Sequence, residues 1–159
     1  MLGPANQEIL IRARADLRLG IPIVLTGKKN AAVIAPIEVL NESRLDQLKV
    51  IDKSSFILIT KRRAQTLKCP IYDENFVRIA QSQFLKIDSL KAIADPFLDL
   101  RNPLKGPFNI IRGETLKLEN EALLLLKSAQ LLPAAIISKV ENGEYFANQH
   151  RLMCLTTEQ

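Results

Sequence analysis

Tryptophan is absent from this 159-residue chain, histidine occurs once, and cysteine and tyrosine twice each. Each scarcity removes a class of chemistry. Cys69 and Cys154 are far apart and outside any Cys-x-x-Cys spacing, so neither a disulfide framework nor a zinc site is indicated, and both are expected to be buried thiols. The single histidine, His150, stands among polar residues near the C-terminus with no nucleophile pattern beside it, and its expected role is a surface or packing one. The six glycines are dispersed, and no G-x-x-x-x-G-K, G-x-G-x-x-G, G-x-S-x-G or H-E-x-x-H string occurs, which leaves out nucleotide and hydrolase motifs. No run approaches the ~20 apolar residues that a membrane-spanning helix needs. The polar residues 3–8 lack the charged-then-apolar layout of a signal peptide. The expected compartment is the cytoplasm, with no membrane partner.

What is present is the composition of one soluble domain: 47% hydrophobic residues and 25% charged ones can build a core that folds alone. A net charge of +5 and a pI near 9.4 would suit an anionic partner. The basic residues are scattered, however, and six Phe and two Tyr offer little stacking surface, so nucleic acid is not an expected partner.

Helical spacing comes first, with Ile9, Leu10, Ala13 and Leu17 on one face and Arg12, Arg14, Asp16 and Arg18 largely on the other. Gly20 stops that helix. Residues 21–25 (IPIVL) and 31–35 (AAVIA) read as strands buried on both faces, joined by the polar hairpin or tight loop Gly27-Lys28-Lys29-Asn30. Asn41 caps a helix through Leu45 and Leu48, residues 55–59 (SFILI) form another buried strand, and Thr60 caps a helix over residues 61–67. Asp88 is expected to cap a short helix through Leu90 and Ile93 that Asp95-Pro96 ends. A loop then leads to a strand at residues 108–111 (FNII). Residues 119–131, with four consecutive leucines, read as a helix buried on more than one side. Pro133 ends it, residues 134–137 (AAII) form a strand, and residues 152–155 form a further one. The closing Thr156-Thr157-Glu158-Gln159 resembles a helix start, which implies a natural protein that continues past Gln159. Strands alternating with helices make this an α/β (α+β) domain, a layered mixed β-sheet with flanking helices over residues 1–159.

Three charged groups invite a functional reading. Lys28-Lys29 in the first loop and Lys61-Arg62-Arg63 on the first turn of a helix are each able to hold a phosphate; the competing reading is a solvated surface. Glu114, Glu119 and Glu121 surround the start of the leucine-rich helix, where capping or complementing the helix dipole accounts for them. No second acidic group is visible to complete a magnesium site.

Four stretches carry a family resemblance. Residues 15–25, ADLRLGIPIVL, match a helix, an R-x-G-x-P turn and an apolar strand. Residues 54–67, SSFILITKRRAQTL, fit L-T-x-x-R-A-x-x-L, and residues 90–96, LKAIADP, fit I-x-A-L-A-D-P. Residues 126–140, LKSAQLLPAAIISKV, are similar to L-A-R-L-A-G-L-x-P-A-G-V-I-C-E-I. The chain thereby resembles the 3,4-dihydroxy-2-butanone 4-phosphate synthase family of riboflavin biosynthesis, over nearly its whole length.

The same resemblance marks where chemistry has gone. The family holds substrate and magnesium with an acidic D-D-x-x-R-E-N-E-G-D loop after the first strand and a G-H-T-E-A motif opening the long helix. Here the first place holds Lys28, Lys29 and Asn30, without a carboxylate, and the second holds Leu118, Glu119 and Asn120, without a histidine. The family's I-S-A-A-D-R loop is also missing around residues 86–89. Rearranging ribulose 5-phosphate needs acid-base groups and a cation for the enediolate, so the resemblance implies an inactive synthase with its magnesium site lost and no catalytic residue to name. It implies the N-terminal domain of a GTP cyclohydrolase II, with the cyclohydrolase domain and its three-cysteine zinc site after residue 159. The expected role is a homodimeric scaffold. The alternatives are a regulatory domain binding a phosphorylated ligand through Lys28, Lys29 and Arg112, and a residual synthase.

Overall fold

The computed structural model describes residues 2–52, 54–71, 75–80, 86–99, 108–112 and 117–157. Along the chain run α1 (Asn6–Arg18), β1 (Ile23–Thr26), β2 (Ala31–Pro36), α2 (Glu42–Ile51), β3 (Phe56–Thr60), α3 (Lys61–Thr66), β4 (Phe76–Ala80) and α4 (Ile87–Ala94). After a 3₁₀ turn at Pro96–Leu98 come β5 (Ile110–Ile111), α5 (Lys117–Ser128), β6 (Ala134–Val140), α6 (Gly143–His150) and β7 (Cys154–Thr156). All seven strands join one sheet in the order β5-β4-β3-β6-β2-β1-β7. Every neighbouring pair is antiparallel except β1 and β7.

The almost wholly apolar strands are buried on both faces, as their composition predicts. Successive side chains alternate between two cores. Ile23, Leu25, Ala32, Ile34, Leu58 and Ile137 meet α1 and α5 through Leu17, Ala122 and Leu126. Val24, Val33, Ile57, Val77 and Ile136 face the other way, toward Leu45 and Leu48 of α2, Ala64 of α3, Leu90 and Ile93 of α4 and Ala147 of α6. The result is a mixed sheet between two helical layers, the layered α/β class that the alternation of elements predicts.

Local signals hold in several places. Asn41 Oδ1 accepts from the Arg44 amide at 2.8 Å and starts α2, and Thr60 Oγ1 accepts from the Arg63 amide at 3.1 Å and starts α3. Gly20, just past α1, has φ +83°, and a Cβ there would run into the Val39 carbonyl oxygen. Only glycine fits both constraints.

Other expectations need correction. The helix that Asp88 was expected to cap begins one residue earlier, at Ile87. Lys86 takes the cap position without a side-chain bond, and Asp88 lies in the first turn. The leucine-rich helix is Lys117–Ser128, and of its four consecutive leucines Leu124 is 60% exposed. The strand expected at residues 108–111 shortens to Ile110–Ile111. Of the stretch Thr156-Thr157-Glu158-Gln159 expected to start a helix, Thr156 ends β7 instead, paired with Thr26. Cys69 is buried but Cys154 is only partly so. Two elements were not foreseen. β4 (FVRIA) is interrupted by Arg78, which hides an otherwise apolar run. α6 is polar on most of its surface and buries only Gly143 and Ala147, with Asn142 Oδ1 capping the Tyr145 amide at 3.1 Å. Glu114 and the closing Glu158-Gln159 lie outside the described residues. No helix among the described residues is long and apolar enough to cross a membrane.

Candidate functional site

The sheet has two ends, and they differ in what they carry. At one end β1 turns into β2 through Gly27, Lys28, Lys29 and Asn30; the Gly27 amide donates to the Asn30 carbonyl at 2.7 Å. A Cβ on Gly27 would lie 2.9 Å from Asn30 Oδ1, so a small residue lets this turn close. The chain after β7 braces the same turn: the Thr157 amide donates to the Thr26 carbonyl at 2.8 Å, and Thr26 Oγ1 donates to the Leu155 carbonyl at 3.2 Å. Lys28 and Lys29 are exposed.

The first turn of α5 lies at this end as well. Glu121 and Leu125 of α5 line a cleft of about 530 Å³ together with Asn6, Leu25, Thr156 and Thr157. Beyond the other end of α5, the Leu132 amide donates to Glu38 Oε1 at 2.6 Å, just past the end of β2. The structure thus brings Leu118, Glu119 and Asn120 to the same end of the sheet as Lys28, Lys29 and Asn30. Leu118 and Glu119 are buried and Asn120 is half-buried. Leu118, at the position aligned with a histidine, packs in the α1/α5 core.

Arg112 does not join them. It follows β5, at the far edge of the sheet, and four strand spacings of about 4.8 Å separate β5 from β2. The register adds to this distance. β4 comes level with Ile137 of β6 at Ala80, and the chain passes from Ile110, opposite Ile79, to Ile111, opposite Arg78, away from the hairpin end. A phosphate pocket shared by Lys28, Lys29 and Arg112 is therefore excluded by topology: the arginine and the lysines stand at diagonal corners, roughly 20 Å or more apart.

His150 lies on the opposite side of the sheet from α5. It ends α6, whose Ala147 packs in the second core, and its exposed ring stacks on Phe146 with centroids 4.2 Å apart. That agrees with the packing role expected of it and places an imidazole out of reach of the start of α5. Among the described residues no three His, Cys, Asp or Glu side chains gather as a metal site. The hairpin offers one side-chain oxygen, on Asn30, and two ammonium groups; such a donor set does not fit magnesium, which takes oxygen ligands in near-octahedral order.

The second basic cluster is not a solvated surface throughout. Lys61 and Arg62 are exposed, but Arg63 is 9% exposed. Its guanidinium pairs with both carboxylate oxygens of Asp99 at 2.7 and 2.8 Å and donates to the carbonyls of Ile93 at 2.8 Å and Ala92 at 3.1 Å. These carbonyls belong to the last turn of α4, where a cation is favoured. Sequence reasoning missed this role. The signal was the L-T-x-x-R-A-x-x-L pattern, which singles out Arg63 from the two basic residues before it. Nearby, burial pushes the Cys69 thiol above its ordinary range, against the opposing pull of the Arg63 charge.

This mixed sheet with helices on both faces superposes on solved structures of 3,4-dihydroxy-2-butanone 4-phosphate synthases. Three solved structures carry the likeness. A two-domain synthase from A. baumannii superposes with a TM-score of 0.66 at 15% identity over 92% of this chain. A synthase of Candida albicans gives 0.66 at 14%, covering 92% of each chain. A synthase in complex with two magnesium ions gives 0.65 at 13%, covering 97% of this chain and 93% of its own. This chain spans 55% of the two-domain protein. No family model and no curated protein sequence matches the chain. At these identities the likeness is one of fold.

Proposed function

We propose that this chain is a catalytically silent synthase-fold module of riboflavin biosynthesis, serving as a homodimeric scaffold for a GTP cyclohydrolase II to which it is joined in the cytoplasm. The observation that carries the reading is the hairpin end of the sheet. Lys28 and Lys29 stand where the synthase resemblance calls for an acidic loop, Leu118 packs in the core where it calls for a histidine, and the chain's one histidine is on the other face. Enediolate chemistry of the synthase kind needs a proton acceptor and a stabilising divalent cation facing one substrate, and the hairpin itself carries no carboxylate or imidazole and no set of oxygen ligands for such a metal.

The role in assembly rests on the α1/α5 layer. Leu10 and Ile11 of α1 and Leu124 of α5 expose apolar side chains on two helices that pack against each other, the kind of surface that a second copy covers. Any zinc would belong to the cyclohydrolase domain and not to these residues.

Turnover of ribulose 5-phosphate with magnesium, run beside an active synthase, tests the chemistry. No product is expected, and a rate within a thousandfold of the control would overturn the silent reading. Sedimentation equilibrium tests the assembly: a dimer that Leu124→Asp dissociates is expected, and a wild-type monomer at high concentration would remove the scaffold role. The residues encoded after Gln159 are expected to carry three zinc-binding cysteines; a chain without them would remove the cyclohydrolase partner.

A further inference from the structure

A second cleft, of about 300 Å³, opens on the opposite side of the sheet, between α2 and α6. Its apolar wall includes Val33 and Leu48, both in the second core, with Pro22 and Leu152 beside them. Arg44, His150 and Arg151 line it as well, and among the described residues no carboxylate does.

The charges in this cleft are available. Arg44 spends one donor on the Gly20 carbonyl at 3.2 Å, and a guanidinium has five. Among the described residues neither Arg44 nor Arg151 pairs with a carboxylate, in contrast to Arg63. The carbonyl end of α6 faces the same region, but the Arg151 and Leu152 amides cap it through the Ala147 carbonyl, which reduces its pull against an anion. The Phe146–His150 stack adds an aromatic surface.

We propose that this cleft is a binding site for a small organic anion: a single aromatic ring bearing a phosphate or carboxylate. The acid group would sit between the guanidinium groups of Arg44 and Arg151, which grip such oxygens by charge-assisted hydrogen bonds. The ring would lie against the apolar wall beside Phe146. The volume is at the lower limit of ligand pockets, which selects one ring over a dinucleotide or a peptide. The site is independent of the silent hairpin end and of any self-association through α1 and α5.

The test uses phenyl phosphate as the probe, followed by amide chemical shifts of the intact chain. Saturable shifts confined to Arg44, Gln47 and residues 146–152 are expected. Inorganic phosphate and phenol, each carrying half of the recognition, should bind at least tenfold more weakly. Arg151→Gly should weaken phenyl phosphate at least tenfold without lowering the thermal midpoint. That variant is chosen because Arg151 has φ +57°, a conformation glycine adopts without strain. Arg44→Lys should weaken it through loss of the planar fork. Linear, non-saturating shifts, shifts centred on Lys28 and Lys29, or equal affinity in Arg151→Gly would each overturn the proposal. Equal affinity for benzoate would identify the charge, and not the phosphate geometry, as what the two arginines read.

Discussion

The junction of α3 with the end of α4 and the hairpin end of the sheet are both charged, and they use charge in opposite ways. At the junction one buried guanidinium makes four hydrogen bonds, two to Asp99 and two to helix-terminal carbonyls. At the hairpin two lysines point into solvent, and neither has a hydrogen bond or ion pair among the described residues. Three of the four resemblance stretches place a motif residue on a structural job. Gly20 of the R-x-G-x-P turn occupies a left-handed position against Val39, Arg63 is the fork of the junction, and Asp95 of the A-D-P stretch accepts from the Phe97 amide at 2.9 Å to start the 3₁₀ turn. A fold and its chemistry can vary separately when the residues that hold the one are not the residues that carry out the other.

If that division is right, substitutions at the junction cost stability and substitutions at the hairpin do not. The largest effect is expected for Arg63→Ala, which removes two hydrogen bonds to Asp99 and two to α4 carbonyls. A loss of about 3 kcal/mol follows, at the lower end of the range for breaking a buried pair because Asp99 is 31% exposed. Urea unfolding at constant slope measures it. Arg63→Lys should recover less than half, because an ammonium cannot make two parallel bonds; full recovery would mean that charge alone matters there.

Gly20→Ala comes next, at about 2 kcal/mol, from a disfavoured φ and the clash with the Val39 carbonyl. The same unfolding experiment reads it, and a neutral result would show that the turn can relax. Thr60→Ala removes the cap that accepts from the Arg63 amide and should cost about 1 kcal/mol. In combination with Arg63→Ala its effect should be less than additive, since both substitutions loosen α3.

How far this division could be read from sequence depends on the kind of signal. The apolar strands at β1, β2, β3 and β6 announce themselves because both faces are buried, and Asn41 and Thr60 mark their helices by a bond between neighbours in sequence. β4 does not, since Arg78 breaks its run, and burial of an arginine is decided by tertiary surroundings that no local pattern encodes. α6 has only two buried residues, too few for a periodic stripe. The burial of Arg63 is likewise a long-range fact: its partners lie 29 to 36 positions away. Around the candidate site, the residue types at 28–30 and 118–120 are legible in the sequence, and the resemblance points to both segments together. The exclusion of Arg112 needed the strand order.

The smallest expected effect is the most discriminating. Lys28→Ala combined with Lys29→Ala should change stability by less than about 0.5 kcal/mol, the range for exposed positions without partners. The thermal midpoint is then compared with and without millimolar inorganic phosphate. An anion that binds the native hairpin stabilises it by mass action, by about 2.7 kcal/mol at a hundredfold excess over Kd, an effect the double variant would lose. The expectation is that phosphate shifts wild type and variant equally. A shift present in the wild type and absent from the variant would return the hairpin to the class of ligand sites. The contrast between the two charged regions would then be one between a structural cation and a functional pair of lysines.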